Sequence, residues 1–158
     1  MGSTPKADSL TSSTQDFFGL SARTIDGQVV EFGHLRRARL VLVVNIASKS
    51  PLAPRHFASL VRLYQAYESQ IETFILANFK VRFILLEKAE VNGPNPHPVY
   101  AYLRMNGPLY SKRTRTCRQL PGDFTYFMVD PTGRVIAMVE PSTPTGAFDR
   151  YIRKVLAR

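Results

Sequence analysis

Leu40-Val41-Leu42-Val43-Val44-Asn45-Ile46 is an unbroken aliphatic and largely β-branched run, the composition of a strand buried on both faces. Such a strand is expected at the centre of a sheet. Ala47-Ser48-Lys49-Ser50 leads from it to Pro51 and Pro54, after which Phe57, Leu60, Val61, Tyr64 and Tyr67 recur at helical spacing. Proline near a first helical turn loses no hydrogen bond, because the N–H groups there lack intrahelical partners. The unit reads strand, loop, helix.

Upstream, Ser21 to Phe32 reads as two short strands around Asp26-Gly27, a strong short-range hairpin signal. Downstream, Ile71, Phe74, Ile75 and Phe79 are read as a second helical stripe, with a short strand over Thr73 to Leu76 as the alternative. Val81 to Leu86 suits an extended segment. Turn chemistry from Asn92 to Pro98 precedes a helix starting at Val99 to Leu103. Phe124 to Val129 and Arg134 to Val139 are strands joined by Asp130-Pro131-Thr132-Gly133. Phe148, Ile152, Val155 and Leu156 give a last helix its apolar face. The order strand, helix, helix, hairpin, helix predicts a small α/β sheet covered by helices, in a thioredoxin-like arrangement.

A chain of 158 residues, 44% hydrophobic and 21% charged, has room for one domain with a real core. No apolar run approaches the roughly 18 residues needed to span a bilayer. The one cysteine, Cys117, excludes an internal disulfide and a cysteine-based zinc site, and points to a reducing, intracellular compartment. Residues 1–15 are polar, with almost no large apolar side chain and no secretory h-region. They are expected to be a flexible or partner-bound tail, with residues 16–158 as the domain.

Asn45-Ile46-Ala47-Ser48-Lys49 resembles the turn that ends the central strand of glutathione peroxidases. Asp16-Phe17 with Thr24-Ile25-Asp26-Gly27 is similar to that family's N-terminal hairpin. Phe79-Lys80-Val81-Arg82-Phe83 and Glu90-Val91-Asn92-Gly93-Pro94-Asn95 resemble its Phe-Lys and Val-Asn-Gly segments. Phe124 to Asp130, Gly133-Arg134-Val135 and Pro141-Ser142-Thr143-Pro144 resemble its penultimate strand, hairpin and final turn. The resemblance covers most of residues 16–158. It implies a thioredoxin-like central sheet flanked by helices, and peroxide chemistry at a thiolate or selenolate supported by Gln, Trp and Asn.

At those positions the chain departs from the pattern. The peroxidatic position is Ser50, the Trp-Asn pair is Gly122-Asp123, and the chain has no Trp. By comparison with the family, a strand-loop block of about two dozen residues carrying the Gln is missing between Gln70 and Ile71, which would expose a sheet edge. A serine hydroxyl does not ionise near neutral pH and cannot form a sulfenic acid. These departures lead to the expectation of a pseudoenzyme with no catalytic residues, no cofactor, no metal and no small-molecule substrate.

The charge balance, 21 Lys+Arg against 12 Asp+Glu, gives +9 and suggests an acidic partner. Three basic groups are candidates for that contact: Arg36, Arg37 and Arg39; Lys112, Arg113, Arg115 and Arg118; and Arg150, Arg153 and Lys154. Together they lead to the expectation of a structural subunit of a large assembly, contacting protein subunits and either the rRNA of an organellar ribosome, such as that of the mitochondrion, or an acidic protein surface such as the tubulin of a ciliary microtubule. The alternative is a divergent thiol peroxidase or redox sensor using Cys117, whose neighbouring loop cations would favour a thiolate. His34, His56 and His97 lack metal-ligand spacing, and no acid or G-x-S-x-G motif accompanies Ser50 and His56.

Overall fold

The strand pairing that organises the molecule runs between two segments more than 80 residues apart, as the computed structural model shows for residues 6–12, 16–67, 75–76 and 81–157. In chain order the strands are β1 (Ala7–Asp8), β2 (Ser21–Arg23), β3 (Val29–Glu31), β4 (Val41–Val44), β5 (Ile75–Leu76), β6 (Val81–Arg82), β7 (Tyr110–Ser111), β8 (Thr116–Arg118), β9 (Tyr126–Val129) and β10 (Val135–Val139). The α-helices are α1 (Ala53–Tyr67), α2 (Pro98–Met105) and α3 (Thr145–Leu156), with short 3-10 turns at Phe17–Gly19 and Phe32–Arg37.

The main sheet has the order β10-β9-β4, antiparallel throughout, with Val41 opposite Val129 and Val44 opposite Tyr126. Successive side chains of a strand face opposite ways, and the two faces carry two cores. Phe127, Val129, Val41 and Val43 pack with Phe17, Val99, Tyr102 and Leu103. Tyr126, Met128, Leu42 and Val44 pack with Leu60 and Leu63 of α1 and with Phe148 and Ile152 of α3. Helix α2 thus covers one face while α1 and α3 cover the other.

The middle strand is β9, not the LVLVVNI run. All four β9 residues are buried, whereas in β4 only Val41 is, and among the described residues β4 pairs with β9 alone. An outer strand still buries both faces partly, which is why its composition reads as central.

The expected hairpins form. β2 pairs with β3, and Gly27 adopts φ +86 in the Asp-Gly turn. Between β9 and β10, Gly133 adopts φ +84, a conformation that L side chains rarely take. Of the proposed second helical stripe, Ile71, Phe74 and Phe79 lie outside the described residues, as does the junction where the missing block falls. Ile75 lies in β5, which pairs with β6.

A second sheet, β1-β8-β7, joins Ala7 to Arg118 and Asp8 to Cys117. Part of the segment expected as a tail is therefore a strand of the domain. Its polar composition conceals this because β1 is held by a buried ion pair and not by large apolar side chains. No described helix is long and apolar enough to cross a membrane.

Candidate functional site

Ser50 sits half-buried in the turn that carries the chain from β4 into α1. Its N–H donates to Ala47 O at 3.0 Å, and its Oγ accepts from the Leu52 N–H at 3.3 Å. The hydroxyl is therefore used as a local turn acceptor. At the same end of the sheet, Asn45 ties this turn to the segment preceding β9: its Nδ2 donates to Gly122 O at 3.1 Å and its Oδ1 accepts from Thr125 N–H at 3.0 Å. Phe124, between them, is pinned at φ +61 by its own N–H bond to Asn45 O. Asp123 is exposed.

Behind this end lies a buried imidazole that sequence reading set aside. His56, on the first turn of α1, stacks on Phe124 with centroids 4.6 Å apart, and its Nδ1 is 2.9 Å from the Tyr126 hydroxyl. Burial, with the Arg55 charge second, lowers its pKa, so it folds as the neutral base. Its Nε2 is buried with no well-formed hydrogen bond among the described residues, and the Pro141 backbone lies near enough to oppose the fall in pKa. The residue lines a small cleft with Arg55, Ser59, Tyr126, Glu140, Thr143 and Phe148. His97 instead accepts the Val99 N–H at the head of α2.

The only thiol, Cys117, lies at the middle of β8 and is 1% exposed. Burial pushes its pKa up. Arg104 opposes this shift and the Asp8 carboxylate adds to it. The loop cations expected to favour the thiolate do not do so. Lys112, Arg113 and Arg115 sit exposed on the turn between β7 and β8, and Arg118 turns outward to donate to Pro108 O. Arg104, which no local pattern singles out, is the cation beside the thiol.

That guanidinium is fully buried on α2. Its Nη2 donates to Asp8 Oδ2 at 2.6 Å and to Cys117 O at 3.4 Å, and its other nitrogens reach the carbonyls of Val91, Gly93 and Arg118. A buried charge is tolerated only when paired and hydrogen-bonded in this way. Burial alone would raise the Asp8 carboxyl, but the Arg104 hydrogen bond and charge, together with Gln119, outweigh it and hold it below its usual range.

The remaining basic residues separate into surface groups. Arg36 pairs with Asp16 and lies over the Phe18 ring, and Arg37 is exposed. Arg39 donates to Leu156 O, which brings it beside the end of α3. On that helix Arg153 pairs with Asp149 at 2.8 Å, while Arg150 and Lys154 line a shallow groove with Ala147 and Tyr151. Among the described residues no three His, Cys, Asp or Glu side chains gather as metal ligands.

No family model matches the chain. It is 31% identical over 163 residues to a glutathione peroxidase-like peroxiredoxin of Chlamydomonas reinhardtii, covering 89% of this chain and 96% of the relative. A glutathione peroxidase of Lactococcus lactis is 28% identical, with 89% and 99% covered. Among solved structures, that of Trgpx in its apo form superposes with a TM-score of 0.72 at 23% identity over 92% of this chain and 98% of that one. T. cruzi GPX1 superposes with a TM-score of 0.67 at 19% identity over 90% and 97%. These likenesses show the thioredoxin-like fold. The curated relatives carry the names of enzymes, which overturns the expectation of a non-enzymatic structural subunit of a ribosome or cilium. That expectation rested on Ser50, Gly122, Asp123, the missing block carrying the Gln and the basic charge, and treated a changed local site as a changed class of protein. At 31% identity across nearly the whole of both proteins, this chain belongs to the glutathione peroxidase family.

Proposed function

We propose that the chain reduces or senses hydroperoxides through thiol chemistry, with Cys117 as the reacting sulfur. The observation that carries this reading is the kinship with a peroxiredoxin and a glutathione peroxidase over almost the full chain. Ser50 offers no sulfur where the family places one, and Cys117 is the one cysteine of the sequence.

In the chemistry proposed, the Cys117 thiolate attacks the distal peroxide oxygen. The O–O bond breaks, the sulfur becomes a sulfenic acid, and the leaving alkoxide takes up a proton as alcohol. A small thiol then condenses with the sulfenic acid, releasing water and forming a mixed disulfide. A second thiol displaces the protein sulfur, which returns as thiol while the two small thiols leave as a disulfide. Arg104 is the group placed to stabilise the thiolate, because its charge opposes the effect of burial on that sulfur. Cys117 is 1% exposed and burial raises its pKa, so the proposed reaction requires that the sulfur first be uncovered.

Peroxide consumption by the purified protein with a small thiol as reductant tests this. Turnover in the native chain and its loss in Cys117→Ser support the reading. Equal consumption by both, or none by the native chain, overturns it.

A further inference from the structure

Strand β1 is two residues long and lies at the edge of its sheet, paired to β8 on one side. So short an edge contributes few backbone hydrogen bonds; Lys6 O adds one more by accepting the Gln119 N–H at 3.3 Å. The main side-chain hold is Asp8. Its carboxylate is bound to Arg104 at 2.6 Å, with side chains 6% and 0% exposed, and Gln119 Nε2 approaches the same oxygen at 3.4 Å.

Asp8 is also the direct cross-strand partner of Cys117. Directly opposed residues of an antiparallel pair put their side chains on the same face of the sheet. The Asp8 carboxylate and the Cys117 thiol therefore lie side by side on the face turned to Arg104. One residue does two things: it latches the strand and it occupies the flank of the thiol.

We propose that residues 6–8 form a detachable strap, latched by the Asp8–Arg104 ion pair, whose release uncovers Cys117 beside an uncompensated guanidinium. This rests on the reading of Cys117 as the reacting sulfur and names how that sulfur is controlled. With the strap closed, the thiol is buried and has a carboxylate for a neighbour. With the strap open, water reaches the sulfur, the carboxylate departs and the Arg104 charge remains. Each of these changes favours the thiolate. Arg104 keeps its carbonyl partners at Val91, Gly93 and Arg118 when Asp8 leaves, so the core need not unfold with the strap.

The test is alkylation of Cys117 by iodoacetamide, followed by mass spectrometry, on the native chain and on Asp8→Asn. Removing the latch charge is expected to speed labelling at least tenfold, since breaking a buried pair is worth far more than that factor. Equal rates in two folded proteins overturn the strap. Because losing the pair also lowers global stability, both proteins are labelled across dilute urea, and the native chain alone decides the matter should Asp8→Asn fail to fold. A strap that opens locally gives a labelling rate that stays flat before the unfolding transition, whereas a rate rising with the full slope of global unfolding overturns it. Alkylation uses no peroxide, so a protein that labels as expected but consumes no peroxide loses the proposed function and keeps the strap.

Discussion

At the scale of single residues the molecule is governed by two buried polar groups that composition does not reveal, Arg104 and His56. Removing either partner of the Asp8–Arg104 pair strands a charge in the interior, at a cost of about 3 kcal/mol or more. We predict that Asp8→Leu and Arg104→Met each lower the urea midpoint strongly. The double variant should recover part of the loss, because no charge is then left without its partner. Additive losses in this double-mutant cycle would show that the two side chains are not coupled. Neither residue was legible in the sequence. Asp8 and Arg104 lie 96 positions apart, one in a polar segment read as a tail and the other on a helix whose apolar residues drew the attention.

Elements built from local patterns were legible, and those built from long-range pairing were not. The hairpins around Asp26-Gly27 and Asp130 to Gly133, and helices α1, α2 and α3, follow from turn chemistry and 3.6-residue spacing. The place of β4 in the sheet does not, since composition records burial and not neighbours. Two predictions belong to this scale. Gly133→Ala should cost about 1–2 kcal/mol, because alanine at φ +84 is strained and its Cβ meets the Asp16 carboxylate; an unchanged urea midpoint would contradict the turn geometry. Tyr67→Phe removes the 2.9 Å hydrogen bond from α1 to Asp149 on α3, and should cost about 1 kcal/mol while leaving secondary structure intact by circular dichroism.

Across the whole molecule these groups set the response to pH. His56 has a folded pKa below its unfolded value of about 6.5. As pH falls through that value the unfolded chain takes the proton first, so stability that is full above it is lost below it. Asp8, Asp130 and Asp149 are each held below the ordinary carboxylate value by hydrogen bonds that outweigh burial. Their contribution is present above about pH 4 and falls away as pH drops toward their folded values. Urea midpoints at neutral, mildly acid and strongly acid pH should therefore decline in two stages, and His56→Gln should flatten the upper one.

The candidate site was legible in the same uneven way. The family motifs put Asn45 at the end of the strand and Ser50 in the turn before the helix, which is where β4 and α1 hold them, and the change at Ser50 was read as the end of the chemistry. What separates a lost activity from a relocated one is the fate of the remaining sulfur, and that depends on contacts among Asp8, Arg104 and Cys117 that only the folded chain assembles. The most direct measurement is peptide mass spectrometry of the native protein after brief exposure to a hydroperoxide, with a sulfenic-acid trap present. The account predicts that the trap is carried by the peptide containing Cys117, in proportion to the peroxide consumed. Peroxide consumed with Cys117 left as an unmodified thiol throughout would contradict it.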